Sequence, residues 1–330
     1  MRNMILIGSV NMISKVKVII RKLFLRNSTQ ELYKKLRKEK IHLMSKLSNE
    51  TYVKLNVRLN TGIKLNLKNP KMHIEKVNWL KLNYRNPLQT EYTDKYKMRE
   101  HLITKGYSKI LPPLIGVYKS FHEIDFDQLP EKVFLKTNHT SGVNQAIVKG
   151  ETDLRKACEK FEIALKQNYY DISREWNYKN IAPRIIVEPY LDMDEYLDYK
   201  FFVFNGKVEF FAVIKGINDD NGNQSLDSRF NLYDTNLKSL DVDVKRKKFD
   251  DSQFKFSDYI TEMINISEEL ADPFPFCRVD FLVSKDEFLF GEMTFHPNGG
   301  EMVIYPLKNE YFYGNKINLD DISESFLKEK

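Results

Sequence analysis

Apolar residues fall along this chain in two rhythms, a helical one near the amino terminus and a strand-like one further on. In 13–27, ISKVKVIIRKLFLRN, Ile13, Val16, Ile19, Ile20, Leu23 and Phe24 share one helical face, with Lys15, Lys17, Arg21, Lys22 and Arg26 around the rest. ELYKKLRKEKIHLMSKL continues as a very basic helix. TYVKLNVRLNTGIKLNL then alternates, which predicts two strands joined by a turn at Asn60-Thr61-Gly62. DKYKMREHLITKG reads as a helix capped by Thr93 or Asp94 and stopped by Gly106, with Pro112-Pro113 breaking the chain after it. KVFLKTNH predicts a strand running into a polar loop, and NQAIVKG the return strand. Residues 152–168 predict a helix whose inner stripe is Leu154, Ala157, Cys158, Phe161 and Leu165. RIIVEPYL is a buried strand, and YKFFVFNGKVEFFAVIKG a hairpin turning at Asn205-Gly206. A polar excursion covers 217–250, a helix 257–270, and FCRVDFLVS with EFLFGEMTFH make a last strand pair. Mixed helices and antiparallel hairpins indicate an α+β fold with a basic helical extension at the amino terminus. The expected division is 1–90 as that extension, 91–310 as the catalytic domain and 311–330 as a tail.

Composition narrows the function classes. With 22 Phe and 18 Tyr in 330 residues, the chain has the apolar mass for a sizeable core, which excludes a disordered protein. A net charge of +6 fits an anionic ligand or surface without calling for nucleic acid. Cys158 and Cys277 form neither a C-x-x-C pair nor a zinc spacing, so a disulfide framework is excluded and a reducing cytoplasm is expected. The opening MRNMILIGSVNM is broken by Asn11 and lacks a small-residue cleavage site, so it does not read as a signal peptide. No apolar window is long enough to span a bilayer. Two readings of 13–27 stay open: a helix lying on an anionic membrane surface at the inner face, or one packed on the protein with its cations in solvent.

Use of a nucleotide with magnesium needs cations and N–H groups for the phosphates, carboxylates for the metal and an apolar slot for the base. Asp280 in CRVDF and Glu292 in FGEMTF sit on adjacent predicted strands, where side chains lie about 5 Å apart. Hard oxygens at that separation suit magnesium held jointly with phosphates. The plainer alternative is a structural ion pair between Arg278 and Asp280. Lys136 ends an apolar strand and faces the loop Thr137-Asn138-His139-Thr140-Ser141-Gly142, whose backbone N–H groups can close over phosphates. The G-x-x-x-x-G-K-[ST] phosphate loop is absent. The plainer alternative here is a simple hairpin with an exposed lysine.

The ordered set of segments resembles the ATP-grasp superfamily, and D-alanine–D-alanine ligases in local detail: Thr93-Asp94-Lys95, Gly106, Pro112, Phe134-Leu135-Lys136, Ile186-Val187-Glu188, Arg278-Val279-Asp280-Phe281 and Glu292-Met293-Thr294-Phe295-His296-Pro297. The fuller pattern, from LPPLIGVYKSFHEIDFDQLPEKVFLKTNHTSG through IIVEPYL and DYKFFVFNGK to RVDF and FGEMTFHPNGG, resembles the TupA-like ATP-grasp proteins. That resemblance implies an ATP-grasp fold with ATP and Mg2+ as cofactors. It implies that Lys95 and Lys136 contact ATP phosphates, with Thr140, Ser141 and Gly142 in the closing loop, and that Glu188 sits at the hinge where the adenine edge is read. Asp280 and Glu292 would hold magnesium. Thr294 stands where the family carries its second metal-binding asparagine, and its hydroxyl can reach a metal or a bound water. Arg278 would neutralise the transferring phosphoryl group. Lys200, in Asp198-Tyr199-Lys200, would bind an anionic substrate or phosphate, the alternative being an exposed cation at a strand end.

The function so implied is an ADP-forming carboxylate–amine ligase working through an acyl phosphate, in the synthesis of bacterial cell-surface polysaccharide, capsule or cell-wall polymers of the teichuronopeptide type. Its acceptor would be a sugar-linked carboxylate or an amino acid. His139 and His296 lie in loops that could meet substrate or be structural. A rival reading takes Asp192-Met193-Asp194 as the D-x-D of a glycosyltransferase in the same pathway. A third, a silent scaffold, leaves Lys136, Asp280 and Glu292 unexplained.

Overall fold

The computed structural model describes residues 39, 44, 46–216 and 227–329, so the amphipathic segment 13–27 lies outside the described residues. Two antiparallel sheets organise the chain. β1 (Gly116–Tyr118), β2 (Lys132–Thr137), β3 (Asn144–Val148) and β4 (Ile185–Pro189) form a four-stranded sheet in the order β1-β4-β2-β3. β5 (Leu197–Phe204), β6 (Lys207–Lys215), β7 (Arg229–Tyr233), β8 (Phe276–Val283) and β9 (Phe288–Thr294) form a five-stranded sheet in the order β7-β6-β5-β8-β9. The principal helices are α1 (Asn49–Thr61), α2 (His73–Asn83), α3 (Leu88–Thr93), α4 (Lys95–Thr104), α5 (Leu154–Leu165), α6 (Ile260–Ala271) and α7 (Leu307–Asn315).

Most strands arise where the apolar runs place them. Asn205 (φ 44°) and Gly206 (φ 74°) both take the left-handed conformation that a two-residue hairpin turn between β5 and β6 demands. Asp94 caps α4, its Oδ1 accepting from the Tyr96 and Lys97 amides. The core of the larger sheet is aromatic: Tyr199, Phe201, Phe211 and Phe281 are fully buried and in ring contact. In the smaller sheet Val133, Leu135, Ile185 and Val187 pack with Ala157 and Phe161 of α5.

Three expectations change. The alternating stretch after residue 50 is not a strand pair but α1, opened by Ser48, whose Oγ accepts from the Thr51 amide. It is closed by Gly62 in the left-handed region, whose N–H reaches the Arg58 carbonyl. Tyr52, Val53 and Val57 share the buried helical face and pack with Leu65, Leu67 and Ile74, while Leu55 and Leu59, the other half of the apparent alternation, are 39% and 47% exposed. The polar excursion conceals β7, because the strand carries a buried Asn231 that exchanges side-chain hydrogen bonds with the Phe249 backbone, both 3.1 Å. On α5, Ala157, Phe161 and Ala164 are buried, with Cys158 and Leu165 partly buried against the same cluster; Leu154, at the first helical position, is exposed.

Candidate active site

Strand alternation decides which side chains reach the cleft between the sheets. On β2, Val133, Leu135 and Thr137 are buried on the α5 side, so Lys136 projects from the opposite face. Phe134 lies opposite Glu188 and Lys136 opposite Ile186 across β4, and the Lys136 Nζ crosses diagonally to Glu188 Oε2 at 2.7 Å. Arg99, one helical turn after Lys95 on α4, lies 3.8 Å from Glu188 Oε1 and donates to the Pro112 carbonyl at 2.8 Å. Lys95 Nζ donates to the Thr140 carbonyl at 3.0 Å. Burial draws the Lys95 ammonium below its usual range, opposed by Glu292, Asp94 and Glu188 and reinforced by Lys136. Lys95, Arg99, Lys136 and Glu188 line one cleft together with Phe290 and Glu292 of β9.

The loop after β2 is tied into the protein at its start and open at its tip. Thr137 and Thr140 share a hydroxyl–hydroxyl bond of 2.5 Å, and Asn138 donates to Asp94 and to the Ala182 carbonyl while accepting from the Arg184 amide. Ser141 and Gly142 are exposed, Gly142 at φ 83°. Thr140 thus offers its carbonyl to Lys95 and its hydroxyl to Thr137. Glu188 is a buried carboxylate on β4 engaged by Lys136.

On the larger sheet the charged side chains form a knot. Lys200 lies directly opposite Asp280, which in turn lies opposite Glu292; Arg278 lies opposite Thr294. Arg278 grips Asp280 at both oxygens, Nε to Oδ1 at 2.6 Å and a terminal nitrogen to Oδ2 at 2.7 Å. Lys200 Nζ bridges Asp280 Oδ2 at 2.6 Å and Asp198 Oδ1 at 2.8 Å. Arg278 also donates to Thr294 Oγ1 at 3.0 Å and lies 3.6 Å from Glu292 Oε1, to which Thr294 donates at 3.2 Å. Burial alone would raise Asp280, but Arg278 and Lys200 outweigh it and hold the carboxyl below its usual value. Burial raises Asp198 despite Lys200. The register between β8 and β9 shifts after Asp280, so that Asp280 faces Glu292 while Phe281 faces Phe290, with Gly291 as the extra residue. A Cβ on Gly291 would stand 3.0 Å from the Asp280 carbonyl.

The donor set suits magnesium. Asp280, Glu292 and the Thr294 hydroxyl are hard oxygens on one face of two paired strands. Among the described residues no three His, Cys, Asp or Glu converge on a metal position. Magnesium ordinarily completes its shell with waters and phosphate oxygens, which matches so short a protein contribution. The ion pair between Arg278 and Asp280 is also present, and it leaves Glu292, whose side chain is 41% exposed, open on the cleft side.

Neither histidine of the loops is free for substrate. His139 is buried between Asn138 and the Ala164 carbonyl, and His296 is buried 3.4 Å from Glu175. Asp192 and Asp194 are exposed in a turn in which Asp192 Oδ1 accepts from the Asp194 amide, and neither lines the cleft. Arg99 escaped the sequence motifs, although its spacing of four from Lys95 places the two on one helix face.

A family model described as TupA-like ATPgrasp matches residues 75–318. The chain belongs to that family. TupA-like ATP-grasp membership accounts for the two sheets and for the cleft that joins them. No curated protein sequence matches the chain. Among solved structures it is similar to the D-alanine–D-alanine ligase of Bacillus anthracis, at 16% identity and a TM-score of 0.42, covering 74% of this chain and 72% of that one. It is also similar to an L-amino acid ligase of Bacillus licheniformis, at 12% identity and 0.42 over 74% and 53%. A third likeness is to the biotin carboxylase of Campylobacter jejuni, at 14% identity and 0.39 over 72% and 48%. The chain thus spans from about half to nearly three quarters of the length of these structures. At TM-scores below 0.5, these likenesses say nothing of substrate or activity. No helix among the described residues is long and apolar enough to cross a membrane.

Proposed function

We propose that this protein is an ADP-forming carboxylate–amine ligase that uses ATP with magnesium and acts on a sugar-linked carboxylate or an amino acid in bacterial cell-surface polymer synthesis. One observation carries the reading of the site: Lys95, Lys136 and Glu292 line a single cleft, and Glu292 is paired in register with Asp280. Cations from α4 and β2 thereby face a carboxylate pair from β8 and β9, the arrangement a polyphosphate with its metal requires. The pathway and the substrate class rest on family membership alone.

The chemistry is transfer followed by displacement. A carboxylate oxygen of the acceptor forms a bond to the γ-phosphorus as the bridging oxygen leaves with ADP. The amine nitrogen then bonds to the acyl carbon as the C–O bond to phosphate breaks, and the amine gives its surplus proton to water. Magnesium, held by Asp280, Glu292 and Thr294, would neutralise the phosphate oxygens. Lys95 and Lys136 orient the phosphates from one side, and Arg278 and Lys200 offer positive charge where the phosphoryl group passes. No nucleophilic side chain is needed, and Glu188 keeps Lys136 aimed into the cleft.

The deciding measurement is product analysis after incubation with ATP, magnesium and panels of carboxylates and amines. ADP and phosphate formed only when both substrates are present is the expected result. A phosphorylated acceptor without amide would make the protein a kinase, and dependence on a sugar nucleotide instead of ATP would overturn the reading.

A further inference from the structure

Asp198 is a buried carboxylate that the ligase chemistry does not use. It lies on β5 two residues before Lys200, on the same face, and is 8% exposed. Its side chain pairs with Lys200. Lys200 is shared with Asp280, both of whose oxygens are taken: Oδ1 by Arg278, and Oδ2 by Arg278 and Lys200 together. A cation that binds Asp280 must therefore displace a partner. Arg278 is the harder to move, because its planar fork makes two bonds from the same strand. Lys200 makes one bond to Asp280 from a flexible stem. Releasing it without another partner would leave an ammonium that is 12% exposed with no counter-charge, which is strongly unfavourable. Asp198 supplies that counter-charge and keeps Lys200 beside the site.

We propose that Asp198 is a positioning residue for a lysine–metal exchange: a divalent cation takes the Asp280 oxygen held by Lys200, and Asp198 retains Lys200 within reach of the phosphates. The inference rests on the reading of Asp280 as a metal ligand. It is tested with Mn2+ titrated into the full chain together with a non-hydrolysable ATP analogue, whose phosphates complete the metal's shell, and followed by the electron paramagnetic resonance of protein-bound Mn2+ against the analogue alone. Asp198→Asn weakens Mn2+ binding roughly tenfold, because Lys200 then competes with undivided charge for Asp280. Lys200→Met binds Mn2+ at least as tightly as the wild type. The double variant behaves as Lys200→Met does, since Asp198 acts only through the lysine. An unchanged affinity in Asp198→Asn, or a double variant that keeps its defect, overturns the exchange. The Asp280→Asn variant separates the two levels: if Mn2+ binding survives it, or if the wild type shows no saturable binding, the metal reading itself is wrong. Urea titration of each variant shows that it is folded.

Discussion

The two walls of the cleft handle charge in opposite ways. On one wall Lys136 and Glu188 of the smaller sheet make one short ion pair, and α4 brings Arg99 to 3.8 Å from Glu188 and Lys95 to a single carbonyl. On the larger sheet every oxygen of Asp280 is taken, and Lys200 and Arg278 each touch at least two oxygens. The first wall holds cations with bonding capacity to spare, and the second holds cations already satisfied. Burial does not separate the two, since Arg99 and Arg278 are 13% and 12% exposed; the carboxylates within reach do, Glu188 alone beside Lys136 and Arg99 against Asp198, Asp280 and Glu292 around Lys200 and Arg278. A charged motif therefore means ligand binding on one wall, while on the other it is first a matter of structure and becomes chemistry only by partner exchange.

The largest expected effect breaks the saturated wall. Arg278→Met leaves Asp280 with Lys200 alone and should destabilise the protein by about 3–5 kcal/mol in urea unfolding, the cost of halving a buried pair. Asp280 is held below the usual carboxylate value because its cations outweigh burial. Its stabilisation is therefore complete above the unfolded carboxylate pKa and fades as pH falls through the depressed one. Acid unfolding of Arg278→Met should accordingly begin at higher pH than in the wild type. An unchanged urea midpoint would show that the knot is not structural.

A second effect sharpens the comparison at the residue that joins the walls. Glu292→Gln keeps the shape of the side chain and removes its charge, so turnover should fall by about 10²- to 10³-fold with a smaller loss of ATP affinity. Asp192→Asn, in its exposed turn, should leave turnover close to that of the wild type. Steady-state assays of the two variants side by side give the ranking, and the reverse order would favour the glycosyltransferase. The smallest effect belongs to the open wall. Lys136→Ala should lower ATP affinity roughly tenfold by calorimetric titration. It should remain folded, because Arg99 stays beside Glu188. Unchanged affinity would remove Lys136 from the site.

The strands were legible because they are short, apolar and punctuated: β2, β4 and β8 are near-continuous runs of Val, Ile, Leu and Phe, and Asn205-Gly206 names its own turn. The motif residues were legible as a set, since Lys95, Lys136 and Glu292 follow the family order and meet in one cleft. What was not legible is set by contacts distant in sequence. Val53, Leu55, Val57 and Leu59 alternate as a strand would, and the caps at Ser48 and Gly62 together with packing against Leu65 and Ile74 select the helix. The polar Asn231 hid β7 because its partner lies eighteen residues away. The contact of Lys200 with Asp280, and the diagonal from Lys136 to Glu188, depend on register, which no single strand carries.

The bulge at Gly291 has a consequence for how this site can change. Each strand position is either even or odd with respect to the sheet, and the extra residue inverts the parity of everything after it. Were the strand to run through Gly291 without the bulge, Met293, now 4% exposed, would enter the charged knot and Glu292 and Thr294 would turn toward the aromatic core. The loss would be all-or-none, with no intermediate geometry available. Substitutions along β9 can tune the site by degrees, but one at Gly291 that flattens the bulge switches it off, so the shape of the backbone there is as strict a requirement as the carboxylate itself.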